Sequence, residues 1–166
     1  VEVPENIPTK ASDNTYNYTF AGWTPELVTT VTENVEYTAK FTSEYINYTI
    51  TFKNADGSVS LTKTDYHYGD TVAQPAETPT KPADDENTYV FVGWTPEFVS
   101  TVKGNAEYTA TFSSTTNSYT YTFYDEDGTT VLKTDTINYG EVIIAPETPT
   151  KASDNTYTYA FAGWTP

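Results

Sequence analysis

Apolar and polar residues alternate with a period of two along much of this chain. Tyr48, Ile50 and Phe52 are separated by Thr49 and Thr51, and Tyr119, Tyr121 and Phe123 by Thr120 and Thr122. Such alternation gives an extended strand one apolar and one polar face. Asp56-Gly57 and Asp127-Gly128 follow these runs. Asp-Gly is a strong hairpin signal, because Gly takes a positive φ cheaply. Returning strands are therefore predicted from about Val59 to Tyr66 and from about Thr130 to Ile137. Gln74 to Lys81 is Pro-rich and cannot be a central strand. It predicts a loop crossing the sheet, or one short helical turn. Thr88 to Trp94 and Ala106 to Phe112 read as third and last strands, and Pro96 to Val102 fits either a helical turn or a short strand. No window of about 11 residues or more carries a helical apolar stripe. The predicted class is mainly β, in small mixed or antiparallel sheets with little helix.

The same pattern recurs. PTK stands at Pro8 to Lys10, Pro79 to Lys81 and Pro149 to Lys151, and GWTP at Gly22 to Pro25, Gly93 to Pro96 and Gly163 to Pro166. Both sets are 71 and then 70 residues apart. Val35 to Phe41 matches Ala106 to Phe112, and Tyr68-Gly69 matches Tyr139-Gly140. The one-residue slip lies between Gly140 and Pro149, which places a loop there, since a strand tolerates a deletion badly. The organisation read from this is a back-half copy over 1–43, a complete copy over 44–114 and a front-half copy over 115–166, with short linkers such as Ser113 to Asn117. The half-copies are expected to pack on the central copy or to add strands to a neighbouring molecule.

With Tyr48 to Phe52, Asp56-Gly57, Tyr68-Gly69, Pro79 to Lys81 and Phe91 to Trp94 in place, the chain resembles the Listeria–Bacteroides repeat family, which includes the internalin B-type B-repeat. The resemblance covers the complete copy and both partial ones. It implies a β-grasp-like fold and a tandem module of a secreted bacterial protein, extracellular, on the cell surface or in the cell wall. It carries over no catalytic residues and no cofactor. Neighbouring repeats of the same parent protein are the partners it implies, with a host or cell-wall protein or glycan beside them.

Composition narrows the possible chemistry. With no Cys there is no disulfide framework, cysteine nucleophile or thiolate metal site. A net charge of −15 repels phosphate backbones, so nucleic acid is not an expected partner. No apolar run of about 18 residues is present to span a membrane, and no signal peptide is read from these residues. The 15 Tyr and 8 Phe argue against disorder, which is poor in aromatics. The absence of Cys and Met, with the acid excess, suits a durable, soluble extracellular spacer.

Each candidate site has a structural alternative. Trp23, Trp94 and Trp164 recur at the repeat spacing. Exposed, they could stack on sugar rings in a carbohydrate-binding module; buried, they are anchors each copy needs to fold. The Gly before each favours the anchor, through close packing or a bulge. Asp125-Glu126-Asp127-Gly128 resembles the start of a calcium loop, but twelfth from Asp125 stands Thr136 in place of Glu, so a hairpin turn is expected. Asp84-Asp85-Glu86 reads as a solvated acidic loop. His67 has Asn138 as its counterpart, and one His cannot serve a triad in every repeat. The sequons at Asn17 and Asn47 read as products of Thr-rich strands. A glycosidase-type carboxylate pair needs a concave pocket, which short duplicated sheets rarely supply. The expected function is non-catalytic, as stalk, spacer or weak adhesive module, with carbohydrate binding as the alternative.

Overall fold

The computed structural model describes residues 6–165. Residues 1–5 of the first partial copy and Pro166 of the third GWTP string lie outside the described residues. Eight strands follow in order: β1 (Tyr16–Thr24), β2 (Thr38–Tyr45), β3 (Tyr48–Lys53), β4 (Val59–Tyr66), β5 (Asn87–Thr95), β6 (Ala106–Thr116), β7 (Ser118–Tyr124) and β8 (Val131–Asn138). Among the described residues there is no helix. β1 pairs with β2 and β7 with β8, each antiparallel. The central copy forms a four-stranded sheet in the order β4-β3-β6-β5. Its middle pair, β3 and β6, is parallel, with Ile50 opposite Ala106 and Phe52 opposite Tyr108. The chain divides into two compact units, Val1–Thr80 with Phe91–Phe112, and Lys81–Val90 with Ser113–Pro166.

The hairpins form where Asp-Gly predicts them. Asn54 accepts from Gly57 N–H and donates its own N–H to Ser58 O, with Gly57 at φ 83°. A parallel β3–β6 pair demands a long crossover, and residues 67–86 provide it without a helix. Pro75, Pro79 and Pro82 lack the N–H groups that a helix would use. The crossover is fixed instead by edge bonds. Gly69 N–H donates to Val102 O, Val72 N–H to Ser100 O, and Val102 N–H to Asp70 O. These bonds settle the ambiguous 96–102 segment as a loop carrying one isolated bridge, Thr71 to Thr101.

The core belongs to the central copy. Ile50 and Phe52 from β3, Tyr108 and Ala110 from β6, Trp94 from β5, and Val72 and Val102 from the two loops are buried together. Phe52 has no exposed surface. Its ring centroid lies 4.9 Å from Trp94, 5.4 Å from Tyr108 and 5.9 Å from Phe98. None of these buried residues comes from the partial copies.

Two sequence expectations change. The linker placed at Ser113 to Asn117 is strand as far as Thr116, leaving Asn117 alone between β6 and β7. Its Ser and Thr residues suit a paired strand, and Thr88 Oγ1 donates to Thr115 O. Residues 157–165 repeat the sequence pattern of β5 yet form no strand, because no counterpart of β6 lies beside them. In the first copy, Val35 to Tyr37 likewise stay outside β2, although their counterparts Ala106 to Tyr108 are strand. There the missing neighbour is a counterpart of β3.

Candidate functional site

The three tryptophans occupy one repeat position in different surroundings. Trp94 is 9% exposed and sits edge-on to Phe52 and Phe91, with its Nε1–H donated to Gln74 Oε1 at 2.7 Å. Trp23 is half-buried against Phe20. Trp164 is half-buried against Phe123 and Phe161. The preceding Gly marks a bulge: in β1–β2 the register shifts between Phe20 and Gly22. Gly93 has φ 150°, and a Cβ there would meet nothing within 4 Å. The position needs Gly for its backbone angle and not for close packing.

A repeated polar cluster was not legible as such in the sequence. Asp13 Oδ1 accepts the N–H groups of Thr15 and Tyr16, both at 2.7 Å, while Oδ2 accepts the Tyr18 hydroxyl at 2.8 Å. The Lys10 ammonium lies 3.5 Å above the Tyr18 ring. In the central copy Asp84 accepts from Glu86 N–H, Asn87 N–H and the Tyr89 hydroxyl, with Lys81 3.4 Å above that ring. In the third, Asp154 accepts from Thr156 N–H, Tyr157 N–H and Tyr159, with Lys151 over the ring. The Tyr hydroxyl, followed by the backbone donors, holds each of the three carboxyls below the ordinary aspartate range. The same bond pushes Tyr18 and Tyr159 up. The clue was available: Lys, Asp and Tyr stand at fixed offsets in all three copies. It also accounts for the lysine of the recurring PTK. The Asp84 carboxylate in the acidic loop is thus committed to donors within its own turn.

The other acidic candidate is a turn of the same kind. Asp127 accepts from Thr129 N–H, Thr130 N–H and the Thr130 hydroxyl. The hydroxyl leads in holding the carboxyl down to about 2. Glu126 pairs instead with Lys151. Among the described residues no group of three or more His, Asp or Glu is arranged to hold a metal. The His67 ring lies tilted against Tyr45, 4.3 Å between centroids, and its backbone N–H donates to Asp70 Oδ2.

The joints between copies form a second repeated site. Ile46 N–H donates to Thr15 O at 2.9 Å, and its counterpart Asn117 N–H to Glu86 O at 2.7 Å. The Tyr48 hydroxyl donates to Asn14 O at 2.8 Å, and its counterpart Tyr119 to Asp85 O at 2.7 Å. Tyr16 packs on Tyr45 at the first joint. At the second, Asn117 Nδ2 donates to Asp84 O and Asp85 O. Both joints therefore clasp the turn that the aspartate cluster builds.

This sheet, the Asp-Gly hairpins and the recurring joints define a tandem β-repeat. The model of the Listeria-Bacteroides repeat domain matches residues 48–118 and 119–166. The chain belongs to that family, which is associated with extracellular surface proteins and is generally non-catalytic. No curated protein and no solved structure matches it.

Proposed function

We propose that this chain is a spacer of a bacterial cell-surface protein, in which short, hydrogen-bonded joints link successive repeats. The observation that carries the reading is the joint itself. Two residues, Ile46 and Asn47, separate β2 from β3, and one, Asn117, separates β6 from β7. The same two hydrogen bonds close both joints at a 71-residue interval. A flexible tether would be Gly- and Ser-rich and unbonded; these joints are neither. We further read the four-stranded sheet as a β-grasp variant whose crossover helix is replaced by the Pro-rich loop.

The chain has no native cysteine, so spin labels can be attached to cysteines introduced on either side of the first joint. Electron-electron distance measurements should give one narrow peak. The peak should broaden in Tyr48→Phe, which loses the bond to Asn14 O. A broad distribution in the unaltered chain would remove the basis for a stiff spacer.

The alternative, carbohydrate binding, draws its support from Trp23 and Trp164, which are only half-buried, more than from Trp94. Retention on soluble and insoluble polysaccharides, lost in Trp23→Ala and Trp164→Ala, would establish it.

A further inference from the structure

Two tyrosines at the first joint face each other across a strand pair. Tyr16 of β1 stands opposite Tyr45 of β2. The next pair along, Thr15 and Ile46, is joined by the Ile46 N–H to Thr15 O bond. Antiparallel strands alternate hydrogen-bonded and non-hydrogen-bonded pairs, and the second kind brings side chains closer. Tyr16 and Tyr45 are of the second kind. Their ring centroids are 4.6 Å apart at an interplanar angle of 39°. Hydrogen bonding with Tyr45, ahead of burial, pushes the Tyr16 phenol up, so the phenol ends meet as well as the rings. His67 packs on Tyr45 and restricts its ring, while Tyr45 stays 52% exposed. Among the described residues the other tyrosine ring pairs are wider, at 6.2, 6.4 and 6.5 Å. In each of those pairs one hydroxyl is also taken elsewhere: Tyr18 donates to Asp13, Tyr159 to Asp154 and Tyr119 to Asp85 O.

The geometry points to a covalent modification site, at which a one-electron oxidant of the haem-peroxidase class joins Tyr16 to Tyr45 as dityrosine. Hydrogen peroxide, acting through the peroxidase, takes one electron and one proton from each phenol. The two phenoxyl radicals couple through ring carbons ortho to oxygen, forming one C–C bond. Each ring then gives up its ortho hydrogen as its oxygen regains one, and is aromatic again. The protein has lost two hydrogen atoms, and the peroxide has become two molecules of water. With no Cys and no Met in the chain, no sulfur competes for the oxidant. The new bond ties β1 to β2 beside Thr15 and Ile46, where the chain passes to β3. It gives a cysteine-free chain the kind of closure that a disulfide supplies elsewhere. The counterparts of Tyr16 and Tyr45 in the central copy are Asn87 and Thr116, so the second joint has no such site. This inference does not depend on the spacer reading.

Treatment of the dilute, folded chain with a haem peroxidase and hydrogen peroxide is the test. The chain should stay a monomer on a denaturing gel, become lighter by two hydrogen atoms, and gain the blue fluorescence of a biphenol. Tryptic peptides 11–40 and 41–53 should be recovered as one species, with fragment ions placing the bond at Tyr16 and Tyr45. Tyr16→Phe and Tyr45→Phe, which keep both rings in place, should each abolish that species. Tyr18→Phe should leave its yield unchanged. Oxidation in denaturant should spread the cross-link over other tyrosines, because the strand pairing that selects Tyr16 and Tyr45 is gone. Links between chains in place of the internal one would overturn the proposal, as would an internal link that survives Tyr45→Phe. So would the absence of dityrosine under conditions in which N-acetyltyrosine couples.

Discussion

Phe52 and Phe123 occupy the same position in successive repeats, and replacing each with Ala separates the effect of sequence from that of surroundings. Phe52 is fully enclosed and touches three aromatic rings. Phe-to-Ala truncation at such a site costs about 3–5 kcal/mol, combining lost transfer energy with the cavity left behind. Phe123 is half-buried, and Trp164 and Tyr121 are its ring contacts. Half of the ~1.5–3 kcal/mol for burying such a side chain, plus one aromatic pair, comes to about 1–3 kcal/mol. No enclosed cavity remains there to add to it. A copy of about 70 residues has a total stability of roughly 4–10 kcal/mol, so Phe52→Ala removes between about a third and all of it. Phe52→Leu, costing less than about 1.5 kcal/mol, keeps the central copy folded for comparison. Native-state hydrogen exchange, read on the amides of β3 and β7 in the full chain, gives both costs without further substitutions. Equal losses at the two positions would refute the assignment of the core to the central copy alone.

Three more outcomes follow from the polar clusters and the bulge. In Tyr89→Phe the Asp84 carboxyl should titrate higher, toward the ordinary aspartate value, by carbon-detected NMR; an unmoved midpoint would rule out the hydroxyl as its main restraint. Asp127 is held at about 2 in the folded chain, below the unfolded value of ~3.9. Its contribution to the β7–β8 turn is therefore complete above that value and fades as pH falls toward 2. The amide resonances of Thr129 and Thr130 should titrate near 2 and move to higher pH in Thr130→Val; a midpoint near 4 in the unaltered chain would contradict the turn geometry. Gly93→Ala should cost about 1–3 kcal/mol by thermal unfolding, from backbone strain alone. A neutral result would mean the bulge accepts a negative φ.

The strands and hairpins were legible because period-two alternation and Asp-Gly act over a few residues. The crossing loop was legible from its prolines. Pairing was not. Residues 157–165 and β5 share their pattern, yet only β5 forms a strand, since a strand needs backbone partners that local sequence does not supply. The parallel pairing of β3 with β6 was hidden for a related reason: a periodic chain allows several pairings, and the one formed is fixed by long-range contacts such as Val72 and Val102 in the core. The Lys-Asp-Tyr clusters were missed because exposed acids and lysines read as solvated surface. Their recurrence at fixed offsets was the usable sign. Trp94 is buried against Phe52 and Phe91 behind a Gly whose φ is positive.

The chain enters the central copy on β3 and leaves it on β6, and these two strands are parallel neighbours. Their order gives the repeat a definite response to mechanical load. Tension applied at Tyr48 and at Thr116 pulls the two strands past each other along their length. The bonds between Ile50 to Lys53 and Ala106 to Thr109 are then loaded together in shear, whereas an antiparallel hairpin pulled at its open end yields one bond at a time. Rupture under force is a rate process, and a clamp of this kind slows it. Any complete copy pulled from its two ends would carry that load through the same two strands.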